Sequence, residues 1–415
     1  MTITGPAVLL VDPTLNGAGY KAAARDLGFA VVSLYTCEYT ATAPDHAAGD
    51  DLSYYAGEPE EAVHAVTEAG LDLRAVVPAM EVSTHIADRI AELLDLPGNE
   101  HALAGSRRNK AAMRERARHA GLRIPEFHLV HALDEIAPAA HDIGFPAILK
   151  PTSGAGSQGV TLIPDAEALR DLGGLETHDA FDMPITEWLV ERYIRGRQIS
   201  ANYYSFAGEH RLVDMWEFRQ PDDRDYDFPI WDNMQIDDGH PEWHKVDGYV
   251  REVLDAYGIE RGPSHTEVKC SDGEVYLLEV AARLPGGPMV GMWTEHSALR
   301  PYHDSIRCFL GERPAMFEAP LTFDARCGAI AIRNDDEPGT LVAIEGLDAV
   351  RELPGIEEVL IGYQPGDQVP VTRDDLTIPL GFYFSGADRD EVLRMLKEIR
   401  SRVSLRIERP SGAAR

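Results

Sequence analysis

A chain of 415 residues is long enough for two or three packed domains, and its 39 Lys and Arg against 69 Asp and Glu give a formal charge of -30. Such a surface repels nucleic acid and anionic membranes over long range. No run approaches the ~20 apolar residues that a bilayer span needs, so neither nucleic acid nor membrane is expected as a partner, and an anionic ligand would need local cations or metal ions around it.

The first hundred residues read as a small α/β unit. Ala7 to Val11, Phe29 to Tyr35 and Leu73 to Val77 have the apolar, β-rich look of short buried strands. Val82 to Leu94 reads as a helix, with Ile86, Ile90 and Leu94 on one face. Strands alternating with helices predict a parallel sheet covered on both sides. Asn16-Gly17-Ala18-Gly19 lacks the full dinucleotide fingerprint and reads as a tight turn at the edge of a substrate site. The N-terminal MTITGPAVLLVDP shows neither a basic leader nor a small-residue cleavage pattern, which fits a cytoplasmic protein. Cys37, Cys270, Cys308 and Cys327 form no CxxC pair and are expected to be reduced and mostly structural.

After Leu96-Pro97-Gly98-Asn99 the charge reverses locally. Arg107, Arg108, Lys110, Arg114, Arg116 and Arg118 fall in one helical stretch that ends at Gly121 and Pro125. This cluster reads as a wall facing a polyphosphate, against the plainer reading of a solvated basic helix. Phe145 to Lys150 then reads as a strand with a lysine at its end. Pro151 to Gly159 follows, with Gly154, Gly156 and Gly159 beside Thr152, Ser153, Ser157 and Gln158, and a second strand runs from Val160 to Ile163. Small residues let backbone N–H groups approach an anion, Ser153 and Ser157 add hydroxyl donors, and Lys150 supplies a point charge. The loop joins two strands, so it is not the P-loop that leads into a helix.

Trp188 to Glu191 is strand-like, and Arg192, Tyr193 and Ile194 lead to a turn at Arg195-Gly196-Arg197-Gln198 before strand character resumes at Ile199. Such a hinge can offer bare backbone groups to a planar base. Further on, His265 to Cys270 and Val275 to Val280 flank Asp272-Gly273, a hairpin signal. Glu267 and Glu279 stand in otherwise apolar strands, where lone buried carboxylates are costly unless paired or metal-bound. A two-residue turn alone places them on opposite faces. A three-residue turn with Gly273 left-handed, or a local bulge, puts them on a common face, and one of the two is expected. Two carboxylates on one face beside phosphates would make a Mg2+ site. Arg283 follows Glu279 by four residues and is placed to meet a developing negative charge.

These elements, in this order, resemble the ATP-grasp superfamily over roughly residues 1–310. The resemblance implies a mixed α/β and α+β protein with the ATP-grasp fold. Residues 1–106 would form an N-terminal parallel-sheet (pre-ATP-grasp) domain, 107–195 a small lobe with the phosphate loop, 196–312 a large lobe with the carboxylate hairpin, and 313–415 a C-terminal lobe completing the large domain. It implies ATP and Mg2+ as cofactors. Lys110 and Lys150 would bind phosphate, with Ser153, Gly154, Gly156, Ser157, Gln158 and Gly159 as the closing loop. Glu191, Arg192, Tyr193 and Ile194 would be the adenine hinge, Glu267 and Glu279 the metal ligands, and Arg283 the group that stabilises the tetrahedral intermediate. Two positions depart from the pattern. Gln198 stands where a ribose-binding Glu is common, and Ala281 stands where an Asn often serves as a further metal ligand.

Glu279-Val280-Ala281-Ala282-Arg283 and His265-Thr266-Glu267 are similar to the L-amino-acid ligases of the bacilysin-synthetase (alanine–anticapsin ligase) type. That branch implies a small-molecule carboxylate and an amine, an amino acid and an amino acid or related amine, joined through an acyl phosphate in a dipeptide or antibiotic pathway. Trp216, Glu217, Arg219 and the stretch Asp222 to Asp232, with Tyr226, Phe228 and Trp231, are read as pocket or lid, or as a solvated loop. In the C-terminal lobe, strands are expected near Ala329 and Ile378 and a helix from Arg389 to Ile399. In similar ligases this lobe closes over the acceptor site and supports a homodimer. Arg326 is placed either at that site or on the surface. The competing readings are a carboxylase or purine-pathway ligase of the same superfamily and a non-catalytic nucleotide-binding scaffold.

Overall fold

The computed structural model describes residues 3, 5–170, 172, 175–220, 231–319 and 321–409. Strands β1 (Pro6–Val11), β2 (Ala30–Tyr35), β3 (Leu52–Tyr55) and β4 (Asp72–Pro78) form a parallel sheet of order β3-β2-β1-β4. The two-residue period divides β1 between two cores. Val8 and Leu10 pack with Tyr20, Ala23 and Ala24 of the helix Gly19–Asp26, while Ala7, Leu9 and Val11 pack with Ile86 and Ile90 of the helix Thr84–Leu93. The turn at Asn16 to Gly19 is there for packing. A Cβ on Gly17 would lie 2.7 Å from the Ala79 carbonyl oxygen, and one on Gly19 would strike the Tyr302 ring at 2.4 Å. That turn does not border the large cleft described below.

Strands β5 (Phe127–Val130), β6 (Ala147–Pro151), β7 (Thr161–Ile163) and β8 (Trp188–Arg192) form an antiparallel sheet of order β5-β8-β6-β7. The chain continues as β9 (Arg197–Phe206), β10 (Glu209–Arg219), β11 (Asp232–Ile236), β12 (Arg261–Ser271) and β13 (Glu274–Ala281), then β14 (Arg326–Ile332), β15 (Gly339–Glu345), β16 (Ile356–Ile361), β17 (Gln368–Val369), β18 (Leu380–Gly386) and β19 (Ser404–Glu408). One eight-stranded sheet, β13-β12-β9-β10-β11-β14-β18-β16, runs from the carboxylate hairpin into the C-terminal segment. The helix Trp243–Ala256 buries Val246, Val250, Val253 and Leu254 against Ile199, Tyr203, Val268 and Leu277. Phe309, in the helix Pro301–Leu310, shares a core with Tyr204 of β9 and Val8 of β1, so the N-terminal unit and the central sheet pack through one apolar layer.

The strand expected near Ile378 begins two residues later, at Leu380. Asp374 caps a short 3-10 turn over Asp375–Thr377 in front of it, accepting a hydrogen bond from the Thr377 N–H at 2.9 Å. The last helix spans Arg389–Arg402, capped by Asp388. Among the described residues the cysteines are free, and no helix is long and apolar enough to cross a membrane.

Candidate active site

The two sheets and the C-terminal segment enclose a cleft of about 950 Å³. The β12–β13 hairpin forms part of its wall. Asp272 and Gly273 both take positive φ, 51° and 81°, so the tip is a two-residue turn whose twist matches the strands. Pairing runs regularly from Ser271↔Glu274 to Val268↔Leu277, then shifts so that Glu267 faces Glu279 and Leu278 has no partner. Of the two devices expected, the bulge is the one used. The carboxylates lie directly across from each other, and their side chains, 29% and 27% exposed, open on the cleft.

Facing them are the two lysines. Asn109 caps the helix Lys110–His119 by accepting from the Ala112 N–H at 3.0 Å, and the Lys110 N–H donates to the Thr152 carbonyl at 2.7 Å. That seats Lys110 beside the glycine loop. Its Nζ lies 3.1 Å from Glu279 Oε2 and donates to the Gly154 carbonyl at 3.2 Å. Lys150, at the end of β6, lies 2.7 Å from Glu191 Oε2. Arg114, one helical turn after Lys110, donates to both oxygens of Glu191, at 2.6 and 3.3 Å, and to the carbonyl of the bulged Leu278 at 2.8 Å. Burial opposes the charge on Lys150 and pushes its ammonium down to about 8, although Glu191 pulls the other way. Burial likewise opposes the Glu191 charge, but Arg114 and Lys150 outweigh it and hold the carboxyl below its ordinary value. At Glu279 the outcome is the same in direction, with Lys110 and Arg283 outweighing burial.

Arg283 follows β13 and borders the cleft, donating from Nε to Glu81 Oε2 at 2.6 Å. Glu81 sits just after β4, so the N-terminal unit supplies the group that orients this arginine. In the loop, Gly154, Gly156, Ser157 and Gly159 have positive φ. Ser153, Gly154, Gly156, Ser157 and Gln158 border the cleft. Gly159 does not; a Cβ there would meet Pro151 at 2.9 Å. The Asp375 N–H donates to the Gly156 carbonyl at 3.0 Å, which ties the loop to the C-terminal segment. Glu191, Arg192, Tyr193, Ile194 and Gln198 border the cleft too, with Gln198 Nε2 donating to Glu267 Oε2 at 2.9 Å.

The basic wall read from the sequence is largely absent. Of its six cations only Lys110 borders the cleft. Arg107 is buried against Asp88 at 2.6 Å, Arg108 pairs with Asp179, Arg116 donates to the Ala256 carbonyl, and Arg118 pairs with Glu115. Arg107 and Arg108 are thus used in packing against distant partners, while Arg118 forms an exposed pair one turn back on its own helix. Arg326 pairs with Asp237 at 2.9 Å and lies outside the cleft lining. Residues 222–230 of the expected lid stretch lie outside the described residues, while Glu217, Arg219 and Trp231 border the cleft. Sequence reading missed Lys269, whose Nζ donates to the Gly196 carbonyl at 3.3 Å inside the same cleft. The signal was there, since Lys269 lies two residues from Glu267 on one strand and so shares its face. Glu81, Asp375 and Tyr383 carried no sequence signal of their own.

Glu267 and Glu279 are hard oxygen donors that open on a cleft lined by cations, a donor set suited to Mg2+ shared with phosphate oxygens. Among the described residues no three His, Cys, Asp or Glu side chains converge on one point. A Mg2+ site completed by phosphates and water does not require a closed protein cage.

Comparison with known proteins places the chain beside a family of known fold. Residues 143–290 match the ATP-grasp domain, and residues 335–408 match the L-amino acid ligase C-terminal domain 2. The chain is similar to dapdiamide A synthase of Enterobacter agglomerans, with 26% identity over 79% of this chain and 78% of that one. It is similar to the L-arginine-specific L-amino acid ligase of Bacillus subtilis, with 24% identity over 72% and 71%. The solved L-amino acid ligase from Bacillus licheniformis superposes with a TM-score of 0.74 at 19% identity, over 98% of this chain and 99% of that one, a likeness of fold.

Proposed function

We propose, for a chain that belongs to the ATP-grasp carboxylate–amine ligases and is closely related to their L-amino-acid ligase branch, a reaction that joins the carboxylate of one amino acid to the amine of another. The chain is an ATP-dependent ligase that forms an amide between small molecules through an acyl phosphate. The observation that carries the site reading is the opposition, across one cleft, of Glu267 and Glu279 to Lys110 and Lys150.

In this reading the adenine lies along Glu191 to Ile194, with Gln198 towards the ribose. Lys150 and Lys110 hold the phosphates together with the N–H groups of the loop from Ser153 to Gln158. Glu267 and Glu279 would hold Mg2+, which when bound offsets charge on the phosphate chain. A carboxylate oxygen of the first substrate bonds to the γ-phosphorus, the bond to the bridging oxygen breaks, and ADP leaves. The amine nitrogen of the second substrate then bonds to the acyl carbon. The nitrogen gives up a proton to the phosphate or to water, and Arg283, oriented by Glu81, stabilises the oxyanion until the acyl carbon–oxygen bond breaks and inorganic phosphate departs with its electron pair. The glycine loop excludes water, which would otherwise hydrolyse the acyl phosphate. A cytoplasmic homodimer belongs to the same reading and is tested by sedimentation and fractionation.

The names of the relatives support amino-acid substrates. The test is a screen of amino-acid pairs read by phosphate release and product mass. An amide product formed together with ADP is expected. Turnover on a purine intermediate with no amide across a broad screen would overturn the dipeptide reading. Glu279→Gln should abolish turnover and leave the melting temperature within a few degrees, because the carboxylate is partly exposed and Gln keeps its shape.

A further inference from the structure

Away from the acids, the cleft has a second floor, on the C-terminal strands of the large sheet. β10, β11, β14 and β18 place Phe218, Asn233, Ala329 and Tyr383 in one row. All four border the cleft, as do Ala331 and Gly381 one pleat further along. Ile330 and Phe382, between them in the chain, pack in a core with Met395 and Leu396 on the other side of the sheet. None of the six floor residues carries a charge, so this floor suits an uncharged part of a ligand. Asn233 is its polar centre. The residue is 4% exposed, and its Oδ1 has no hydrogen-bond partner among the described residues. Its row neighbours, Phe218 and Ala329, hold no polar side-chain atom to give it one. A buried amide left unpaired is costly, and a ligand that pairs with it recovers that cost. Beyond the methyl of Ala329, two strand spacings or about 10 Å from Asn233, stands Tyr383. A Cβ on Gly287 would lie 3.0 Å from the Tyr383 hydroxyl oxygen, and Gly287 follows Arg283 by four residues, so the floor adjoins the segment that carries Arg283.

We infer that Asn233 is a specificity-determining residue whose carboxamide, with the Tyr383 hydroxyl across Ala329, binds a neutral side chain that both donates and accepts hydrogen bonds, a carboxamide or a hydroxyl, on one of the two amino-acid substrates. The inference rests on the ligase reading above and names a substrate class for it. An amide meets such a group with its own donor and acceptor together. An apolar side chain of the same shape leaves Asn233 unpaired, and a charged one brings its charge to a floor whose residues hold none.

The test measures kcat/KM of the full-length protein for near-isosteric amino acids in each substrate position in turn: asparagine against leucine, glutamine against methionine, threonine against valine. In one of the two positions the polar member of at least one pair should win by about 10-fold or more, and Asn233→Leu should abolish or reverse that preference. Because the variant removes an unpaired buried amide, its melting temperature should not fall. Tyr383→Phe, which removes a single oxygen, should shrink the same preference and serves as the second variant if Asn233→Leu does not fold. The wild-type profile gives the first readout without any variant having to fold. Amide products formed with no such preference in either position, or with one that both variants retain, would overturn the inference and leave the ligase reading standing. A loss of stability in Asn233→Leu with the preference unchanged would mark the amide as structural and overturn it too. No amide from any pair would overturn both readings.

Discussion

Replacing Glu191 by Gln removes the one anion that two buried cations share. The side chains of Arg114 and Lys150 are 0% and 9% exposed, and both touch the Glu191 carboxylate. Breaking a buried pair from one side costs about 3–5 kcal/mol, and Arg114 cannot escape by losing its proton. Lys150 can. Its ammonium, already pushed down to about 8 by burial, falls further without Glu191. A lysine with a lower pKa in the folded state than in the unfolded one is penalised most at low pH, and the penalty fades as pH rises. At pH 7 its share of the deficit stops growing once the proton leaves, at about 1.4 kcal/mol for one pKa unit. At pH 9 Lys150 is mostly neutral in both proteins and its share vanishes. The deficit should therefore be about 4–5 kcal/mol at pH 7 and narrow by about 1.4 kcal/mol at pH 9. Urea denaturation of both proteins at the two pH values measures it. A deficit under about 1 kcal/mol at pH 7, or one that widens with pH, would refute the shared-anion account.

Glu81→Gln should lower kcat about 10- to 100-fold with ADP affinity unchanged, because it weakens a charge-assisted hydrogen bond that orients Arg283 and touches no nucleotide contact; steady-state kinetics beside calorimetric ADP binding separate the two. Gly196→Ala should destabilise the protein by about 2–4 kcal/mol and loosen ADP, since φ is +135° and the new Cβ would lie 2.0 Å from the Cys270 carbonyl oxygen; denaturant midpoints and calorimetry report both. ADP affinity of the wild type should fall from pH 7 to pH 9, and binding should take up protons above pH 8, because burial pushes Lys150 down to about 8 and phosphate favours its charged form. Calorimetry in buffers of different ionisation enthalpy reads that uptake, and proton release in the same range would contradict it.

What the sequence made legible was local. Period-two alternation and Asp272-Gly273 placed Glu267 and Glu279 on one hairpin, and a strand ending in Lys150 before a glycine-rich loop marked the phosphate side. What it concealed depends on partners distant in the chain. Glu81 meets Arg283 across 202 residues, and Arg114 meets Glu191 across 77. The same concealment produced the misreading of the basic helix, since Asp88, Asp179 and Glu191 neutralise its arginines only once the chain is folded. The choice between bulge and longer turn was also beyond local reading. Both restore a common face, and the bulge is tied down by a tertiary bond from Arg114 to the Leu278 carbonyl.

That surplus residue has a bearing on how the hairpin can vary in length. Leu278 stands five positions past the tip, so residues inserted pairwise at Asp272-Gly273 would lengthen the protruding end and leave the two acids abreast. Loss of Leu278 would also leave the acids opposed, on a regular ladder, yet the carbonyl that anchors Arg114 would go, and with it the support under Glu191 and Lys150. Drift at the tip is thus tolerable, while a single deletion five residues away would uncouple the anionic bank of the cleft from the cationic one.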